Sequence, residues 1–347
     1  REVELLPDKI PYEWFSPTIE RPQETVDGKL AQRRVLVLWL SESALAKQPV
    51  KSLTALTRCI GVSTDTPRLN MRVLGPSSSD TLRTIVKEQA ETPSAQKPRI
   101  EIYSPIATAS DEALLAGLDK DVRIPACATE GEAKSHRLCV VRTIVTDDKL
   151  AHSLVEELKK RGVSLRPECG TRNTSNCTRD RVALISEWDT FYGRSLPDAI
   201  GRVLCPESPR QCDAVVRKSY LQGIDGTVPG ESGAQDNSGG QSKSAQKEVT
   251  RETARGERAD GRHQFDYLRR LADELKYHAD TDKGSIKAIG ILGSDVYDKL
   301  LVLQALRGEF PQAQFFTTDV DARLLHPQEF KWARNIVVAS GFGVQLR

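Results

Sequence analysis

The sequence has no long apolar run, no strong net charge and no motif typical of a nucleotide site. Its 347 residues include 50 lysines and arginines against 48 acidic residues, so the formal net charge is only +2. Such a balance gives no global field that would attract nucleic acid or an anionic membrane. No uninterrupted apolar stretch approaches the ~20 residues that a transmembrane helix needs. We therefore expect no nucleic-acid partner and no membrane span in this chain.

Catalytic motifs are equally scarce. The five histidines take part in no Ser/His/Asp or Cys/His arrangement, and the chain has neither a G-x-x-x-x-G-K-[ST] nor a G-x-G-x-x-G loop. Asp319 and Asp321, with His326 nearby, offer oxygen ligands of the kind that bind divalent metals in transferases. Two carboxylates at this spacing often occur by chance, so a metal-dependent transferase is the weakest functional hypothesis. We expect no enzyme and no cofactor.

The seven cysteines are an odd number, so at least one is unpaired within the chain. Four of them form two closely spaced pairs, Cys169 with Cys177 and Cys205 with Cys212. Each pair encloses a polar segment rich in turn formers, which fits a disulfide in an oxidising compartment; four free thiols remain the alternative. A four-thiolate zinc site needs shorter spacings than these. Cys59 and Cys139 lie in apolar runs and are predicted core residues, whereas Cys127 indicates nothing.

Strand and helix patterns alternate in two blocks. The first block has predicted strands at 35–40, 71–74 and 99–103, with helices near 49–60, 80–90 and 110–117. The second has strands at 138–144, 181–186, 286–292, 313–316 and 335–339, with helices at 147–161, 191–204, 265–275 and 296–307. The continuous apolar run at 35–40 is typical of a strand buried on both faces of a parallel sheet. The alternation predicts an α/β fold of two doubly wound, Rossmann-like lobes.

The predicted domain boundaries follow from this pattern. Residues 1–32, rich in proline and charge, form an extended lead-in, and 33–145 form the first lobe. Residues 146–229 and 263–347 form the second lobe. Between them, 230–262 contain Val249 as the only large apolar residue, so this segment is predicted to be a disordered insertion.

Five stretches then carry a likeness to a known family. They are Val73-Leu74-Gly75-Pro76-Ser77-Ser78-Ser79, Tyr103-Ser104-Pro105-Ile106-Ala107-Thr108, residues 142–148, residues 182–193 and residues 286–339. In this order and spacing the chain resembles the type I periplasmic-binding-protein family, in particular the branched-chain amino-acid receptors of ABC transporters. The likeness covers roughly 70–340 without the insertion. It implies two lobes that close on a ligand in the cleft between them.

The resemblance also implies a set of binding residues. In open α/β sheets, ligands bind beyond the carboxyl ends of the strands. The residues that match the family's site are Ser77, Ser78, Thr108, Tyr192 and Asp319, and Asp295 is a further candidate in the second lobe. The serines and Thr108 would hold a ligand carboxylate, Asp319 a ligand ammonium, and Tyr192 would form an aromatic wall.

Each assignment has a structural alternative. The serines would equally cap the next helix, and Thr108 would close a turn. Asp295 would support a helix start, Tyr192 would be a core residue, and Asp319 a solvated strand-end carboxylate. Two departures from the family pattern add weight to such alternatives: a Ser-Glu-Ser-Ala-Leu loop follows the first strand, and the family's C-terminal return segment is lacking.

Three functions therefore compete. The favoured one is a non-catalytic ligand-binding or sensor domain for a small amino-acid-like ligand. The second is a degenerate scaffold for protein–protein contact, with flanking domains of a larger protein as further partners, and the third is the metal-dependent transferase. The family's location and the two cysteine pairs favour the periplasm, with a cytoplasmic sensor domain as the alternative.

Overall fold

The computed structural model describes most of the predicted elements. The described residues are 10–15, 25–26, 29–30, 35–59, 71–91, 100–120, 122–124, 127, 138–164, 180–206, 212–224, 264–281 and 284–342. They fall into two compact units: unit 1 comprises residues 1–107 and 114–143, and unit 2 comprises 108–113 and 144–347. The predicted insertion at 230–262 lies outside the described residues.

Unit 1 contains a small parallel sheet. Strands β5 (Met71–Leu74), β6 (Ile100–Ser104) and β7 (Leu138–Arg142) follow one another in the sheet in that order. Three helices are α1 (Glu42–Leu45), α2 (Pro49–Cys59) and α3 (Ser79–Glu91), and a short helix α4 (Asp111–Leu115) spans the boundary between the units. Buried Glu88 of α3 accepts hydrogen bonds from the Val50 and Lys51 amides at 2.8 and 3.0 Å. A side chain of α3 thus satisfies the free amides at the start of α2.

The first predicted strand does not lie in the parallel sheet of unit 1. β4 (Val35–Leu38) pairs antiparallel with β1 (Tyr12–Phe15) in a separate two-stranded sheet. Trp14 and Val35 are 57% and 50% exposed, so the prediction of a strand buried in a parallel sheet was wrong. The apolar run predicted a strand but not the strand with which it pairs. Its partner is β1, whose sequence contains three aromatic residues. Two further short strands, β2 (Thr25–Val26) and β3 (Lys29–Leu30), form an antiparallel pair.

Unit 2 is a doubly wound parallel sheet. Its strands are β8 (Arg181–Glu187), β9 (Val215–Tyr220), β10 (Ile286–Leu292), β11 (Gln314–Thr318) and β12 (Val337–Ala339). They lie in the order β9-β8-β10-β11-β12 with every neighbouring pair parallel. In chain order this is the 2-1-3-4-5 arrangement of a flavodoxin-like sheet, whose direction of winding switches between β8 and β10. The α/β prediction is confirmed; β9 was not predicted.

Helices cover both faces of the unit 2 sheet. They are α5 (Asp147–Lys160), α6 (Phe191–Leu204), α7 (Gln264–Thr281), α8 (Val296–Leu306) and α9 (Phe330–Ala333). The strands supply alternate residues to two cores: Phe315 packs with the buried leucines of α7 and α8, and Phe316 with those of α5 and α6. Such alternation follows from the two-residue repeat of a strand. The sheet is therefore fixed in position, with the carboxyl ends of its strands along one edge.

The structure forms two disulfides among the described cysteines. Cys205 and Cys212 form a disulfide. The prediction of a disulfide is therefore confirmed for this pair, and the alternative of free thiols is not. Cys139 is buried as predicted, but it is also bonded to Cys127, a pairing that the sequence analysis did not predict. Cys169 and Cys177 lie outside the described residues, as does the side chain of Cys59. None of the helices in the described part of the chain has both the length and the apolar character to cross a membrane.

Candidate functional site

The candidate site lies at the carboxyl edge of the unit 2 sheet, just beyond β11. Asp319 directly follows this strand with a left-handed backbone, φ +61°, a conformation that non-glycine residues rarely adopt. Its amide donates to the Ala339 carbonyl at 3.1 Å, which ties the turn to the end of β12. The Asp319 side chain remains 40% exposed. The turn therefore presents a carboxylate to solvent from a constrained backbone.

Tyr192 holds one oxygen of that carboxylate. Its hydroxyl donates to Asp319 Oδ2 at 2.6 Å and lies 2.7 Å from Thr318 Oγ1. Tyr192 sits in the first turn of α6, where the Thr190 side chain accepts from the Gly193 amide and caps the helix. Burial raises the pKa of the Tyr192 phenol well above its ordinary value, and the charges of Asp319 and Asp147 raise it further. Tyr192 thus stays protonated and acts as a donor to Asp319.

Lys299 lies beneath the same turn. This residue of α8 is 2% exposed, and its ammonium donates to the Thr318 carbonyl at 2.8 Å. Its Nζ is 4.0 Å from Asp319 Oδ2. Burial lowers the pKa of Lys299, while the charges of Asp319 and Glu187 act in the opposite direction. The Asp319 carboxylate therefore has a buried cation on one side and solvent on the other.

Thr108 belongs to the same unit as Asp319. It is buried, and its carbonyl accepts from the Asp147 amide at 2.8 Å, at the start of α5. Asp147 is close enough to Tyr192 for its charge to raise the phenol pKa. The Thr108 carbonyl thus joins its segment to the first residue of α5.

Asp295 caps α8. Its side chain accepts from the Tyr297 amide at 2.7 Å, the supporting role that the sequence offered as an alternative. The neighbouring amides of Ser294 and Asp295 donate to Glu187 Oε1 at 2.6 and 3.2 Å. Glu187 is fully buried at the end of β8. The chain's own carboxylate thus occupies the switch point between β8 and β10, where such sheets hold ligands.

Ser77 and Ser78 lie in unit 1, where a second internal carboxylate contacts them. Glu42 accepts from the Ser77 and Ser78 amides at 2.9 and 3.0 Å and also from the Ser77 hydroxyl. Partial burial raises the pKa of Glu42, but the hydrogen bonds from these serines outweigh it and lower the pKa below its ordinary value. Ser78 Oγ accepts from the Asp80 and Thr81 amides at 3.1 and 3.2 Å and so caps α3.

The structure therefore brings Tyr192 and Asp319 into contact within unit 2, buries Thr108 in the same unit and places Asp295 at a helix cap there. Four further residues contact the predicted site residues but were not predicted from the sequence: Glu42, Glu187, Lys299 and Thr318. A signal existed for Lys299, since it interrupts an otherwise apolar face of α8. Glu42 and Glu187 gave no signal, because a charged residue at a helix start or at a strand end is ordinarily solvated.

The acidic pair behind the transferase hypothesis has separate partners. Asp321 accepts from the Arg323 guanidinium at 2.9 and 2.7 Å, and this hydrogen bonding lowers the Asp321 pKa. Asp319 contacts Tyr192 instead. Across the described ranges, no three histidine, cysteine or acidic side chains are grouped so that they could hold a metal ion.

Comparisons with known proteins find loosely similar solved structures, two of which are described as follows. One is an ABC transporter substrate-binding protein from Desulfitobacterium hafniense in complex with Leu, at 12% identity and a TM-score of 0.38; the match covers 79% of this chain and 53% of that one. The other is an extracellular ligand-binding receptor from Verminephrobacter eiseniae, at 12% identity and a TM-score of 0.35, covering 87% and 67%. No family model and no curated protein matches the chain.

Both structures are of the kind that the sequence resembles. This chain spans about half the length of the first one. Superposition at such low TM-scores is too loose to transfer a function, and the α/β class rests on the parallel strands of units 1 and 2 themselves.

Proposed function

We propose that this chain is a non-catalytic ligand-binding or sensor domain for a small amino-acid-like ligand. The observation that carries the proposal is the Asp319 carboxylate: Tyr192 anchors Oδ2 at 2.6 Å while the side chain stays 40% exposed. A half-exposed carboxylate held rigidly at the carboxyl edge of a parallel sheet is suited to pair with a ligand ammonium. The Thr108 hydroxyl is the candidate donor to the ligand carboxylate.

Preorganisation supports this role. Asp319 is held by its constrained backbone and by the buried Tyr192 hydroxyl, so binding would cost little side-chain ordering. Lys299, 4.0 Å from Oδ2, lies on the buried side and leaves the exposed side to a ligand. We further propose an oxidising location such as the periplasm, on the ground of the Cys127–Cys139 and Cys205–Cys212 bonds.

Titration calorimetry with a panel of amino acids and small carboxylates tests the proposal. We expect at least one amino acid to bind, and Asp319→Asn to weaken its binding by about 10-fold or more, the effect of losing one charge-assisted hydrogen bond. The matched control is Asp321→Asn, two residues away, whose carboxylate pairs with Arg323. Absence of heat across the whole panel, or equal losses in both variants, would refute the proposal.

A second candidate function is a scaffold for protein–protein contact. Its support is that Glu42 and Glu187 occupy two groups of backbone amides where a ligand carboxylate would bind. The discriminating experiment measures function in cells. If Thr108→Ala and Asp319→Ala both leave it intact while deletion of 1–32 or 230–262 abolishes it, the scaffold is the correct interpretation.

A further inference from the structure

A cavity opens beside the edge strand of the unit 2 sheet, away from Asp319. Its volume is about 490 Å³, and its lining residues are Trp188, Ser219, Tyr220, Leu221, Ile224 and Tyr267. Pockets for small molecules commonly have volumes of about 300–1,000 Å³. Three strand spacings separate β9 from β11, or roughly 14 Å at ~4.8 Å per strand. This cavity is therefore distinct from the site at Asp319.

Hydrogen bonds hold the walls of the cavity in place. The Trp188 amide donates to the Tyr220 carbonyl at 2.8 Å, and the Tyr267 hydroxyl donates to the Ser219 carbonyl. Fully buried Asp298 accepts from the Gly223 and Ile224 amides at 2.8 and 2.7 Å. The backbone of the lining and the Tyr267 ring are thus held in place, which reduces the ordering cost of binding.

The rim of the cavity exposes large apolar side chains to solvent. Trp188 and Leu221 are both 62% exposed, and Tyr267 is 41% exposed. Apolar side chains grouped in this way around a concave surface are typical of a binding site. Indole and phenol rings also present the negative face of their π systems, which attracts cations.

The charged groups around the cavity are mostly acidic. Burial raises the pKa of Tyr220 well above its ordinary value, and the charges of Glu187, Asp298, Asp295 and Asp189 raise it further. Two nearby cations have acidic partners of their own, Lys218 with Glu274 and Arg270 with Asp266. Arg194, which donates to the Trp188 carbonyl at 2.7 Å, and buried Lys299 offset two of the four carboxylates. Among the described residues, the surplus of charge around the cavity is therefore negative.

We propose that this cavity is a second binding site, for an organic cation with an aromatic or apolar body, such as a quaternary ammonium compound. The rings of Trp188, Tyr220 and Tyr267 would contact the cation and its apolar body, and the surrounding carboxylates would supply the favourable potential. The same potential disfavours an anionic ligand. The inference is independent of amino-acid binding at Asp319.

The test is calorimetric binding of benzyltrimethylammonium to the full chain. Its neutral near-isostere, dimethyl benzyl carbinol, and the anion phenylacetate are measured in parallel. We expect the cation to bind about 10-fold more tightly than the neutral compound, as a desolvated cation–π contact provides. Equal affinity for the two compounds would overturn the assignment to cations, and no binding of the cation would overturn the site.

Variants locate the bound cation. Trp188→Ala and Tyr267→Ala are each expected to weaken binding about 10-fold. The matched control is Tyr277→Ala, since Tyr277 lies on the same helix as Tyr267, is 65% exposed and does not line the cavity. Leu221 is 62% exposed, and Leu221→Arg would place a guanidinium group at the cavity. This variant should abolish binding of the cation. Binding that survives these three cavity variants, or is lost in Tyr277→Ala, would contradict the assignment.

Discussion

The hydrogen bond between Tyr192 and Asp319 makes a measurable contribution to the stability of unit 2. In Tyr192→Phe, the carboxylate loses a donor at 2.6 Å and Thr318 Oγ1 loses a partner at 2.7 Å. Hydrogen bonds to charged groups contribute about 1.5–3 kcal/mol. Since the Asp319 side chain is 40% exposed, water replaces part of the lost interaction. We therefore expect the free energy of unfolding to fall by about 1.5 kcal/mol, the lower end of that range.

A double-mutant cycle isolates this interaction. Urea unfolding at neutral pH, followed by near-ultraviolet circular dichroism, is measured for Tyr192→Phe, Asp319→Ala and the double variant. The expected coupling energy is about 1 kcal/mol, because either single variant already removes the bond. The control is Tyr220→Phe: Tyr220 is equally buried, and within the described residues its hydroxyl has no hydrogen-bond partner. Its removal should leave stability nearly unchanged or raise it.

Two results would refute this reasoning. Effects that add to within about 0.5 kcal/mol would mean that the two side chains do not interact. A loss in Tyr220→Phe as large as that in Tyr192→Phe would mean that burial of the phenol, and not its bond to Asp319, is responsible.

Three further predictions concern packing, pH and disulfides. Gly290→Ala should destabilise unit 2 by about 1–3 kcal/mol, because its Cβ would lie 2.5 Å from atoms of the Phe316 ring; chemical denaturation should show recovery when Phe316→Leu is added, and no recovery would contradict the packing. Because burial and neighbouring carboxylates raise the pKa of Tyr220, stability should fall as the pH rises above ~10; Tyr220→Phe should show a shallower fall in alkaline melting curves, and an identical curve would exclude this cause. Reduction of the Cys205–Cys212 bond should cost about 2–3 kcal/mol, and a non-reducing intact mass that shows these cysteines as free thiols would contradict the pairing.

The sequence specified the elements of unit 2 better than those of unit 1. The strands at 181–187 and 286–292 contain uninterrupted apolar segments at 182–185 and 288–292, because helices cover both faces of the sheet. Their composition therefore predicted their burial. β9 was missed because it is an edge strand with Arg217 and Lys218 at its centre. β4 was misassigned because apolar content does not determine which strand will be its neighbour.

The candidate site was predictable only in part. Tyr192 and Asp319 were predicted from the family resemblance. Their 2.6 Å contact joins residues that are 127 positions apart in the sequence, and no local sequence pattern predicts a contact at such a separation. The roles of Glu42 and Glu187 depend on which amides the fold brings to them. A carboxylate that caps backbone amides elsewhere in the chain has the same sequence signature as a solvated one.

The most direct measurement is a crystal structure of the chain with the amino acid that binds most tightly in calorimetry. We expect density for the ligand at the carboxyl edge of the unit 2 sheet, with its ammonium nitrogen about 2.7–3.2 Å from the Asp319 carboxylate. A ligand bound elsewhere, with Asp319 contacting only Tyr192 and water, would contradict this expectation.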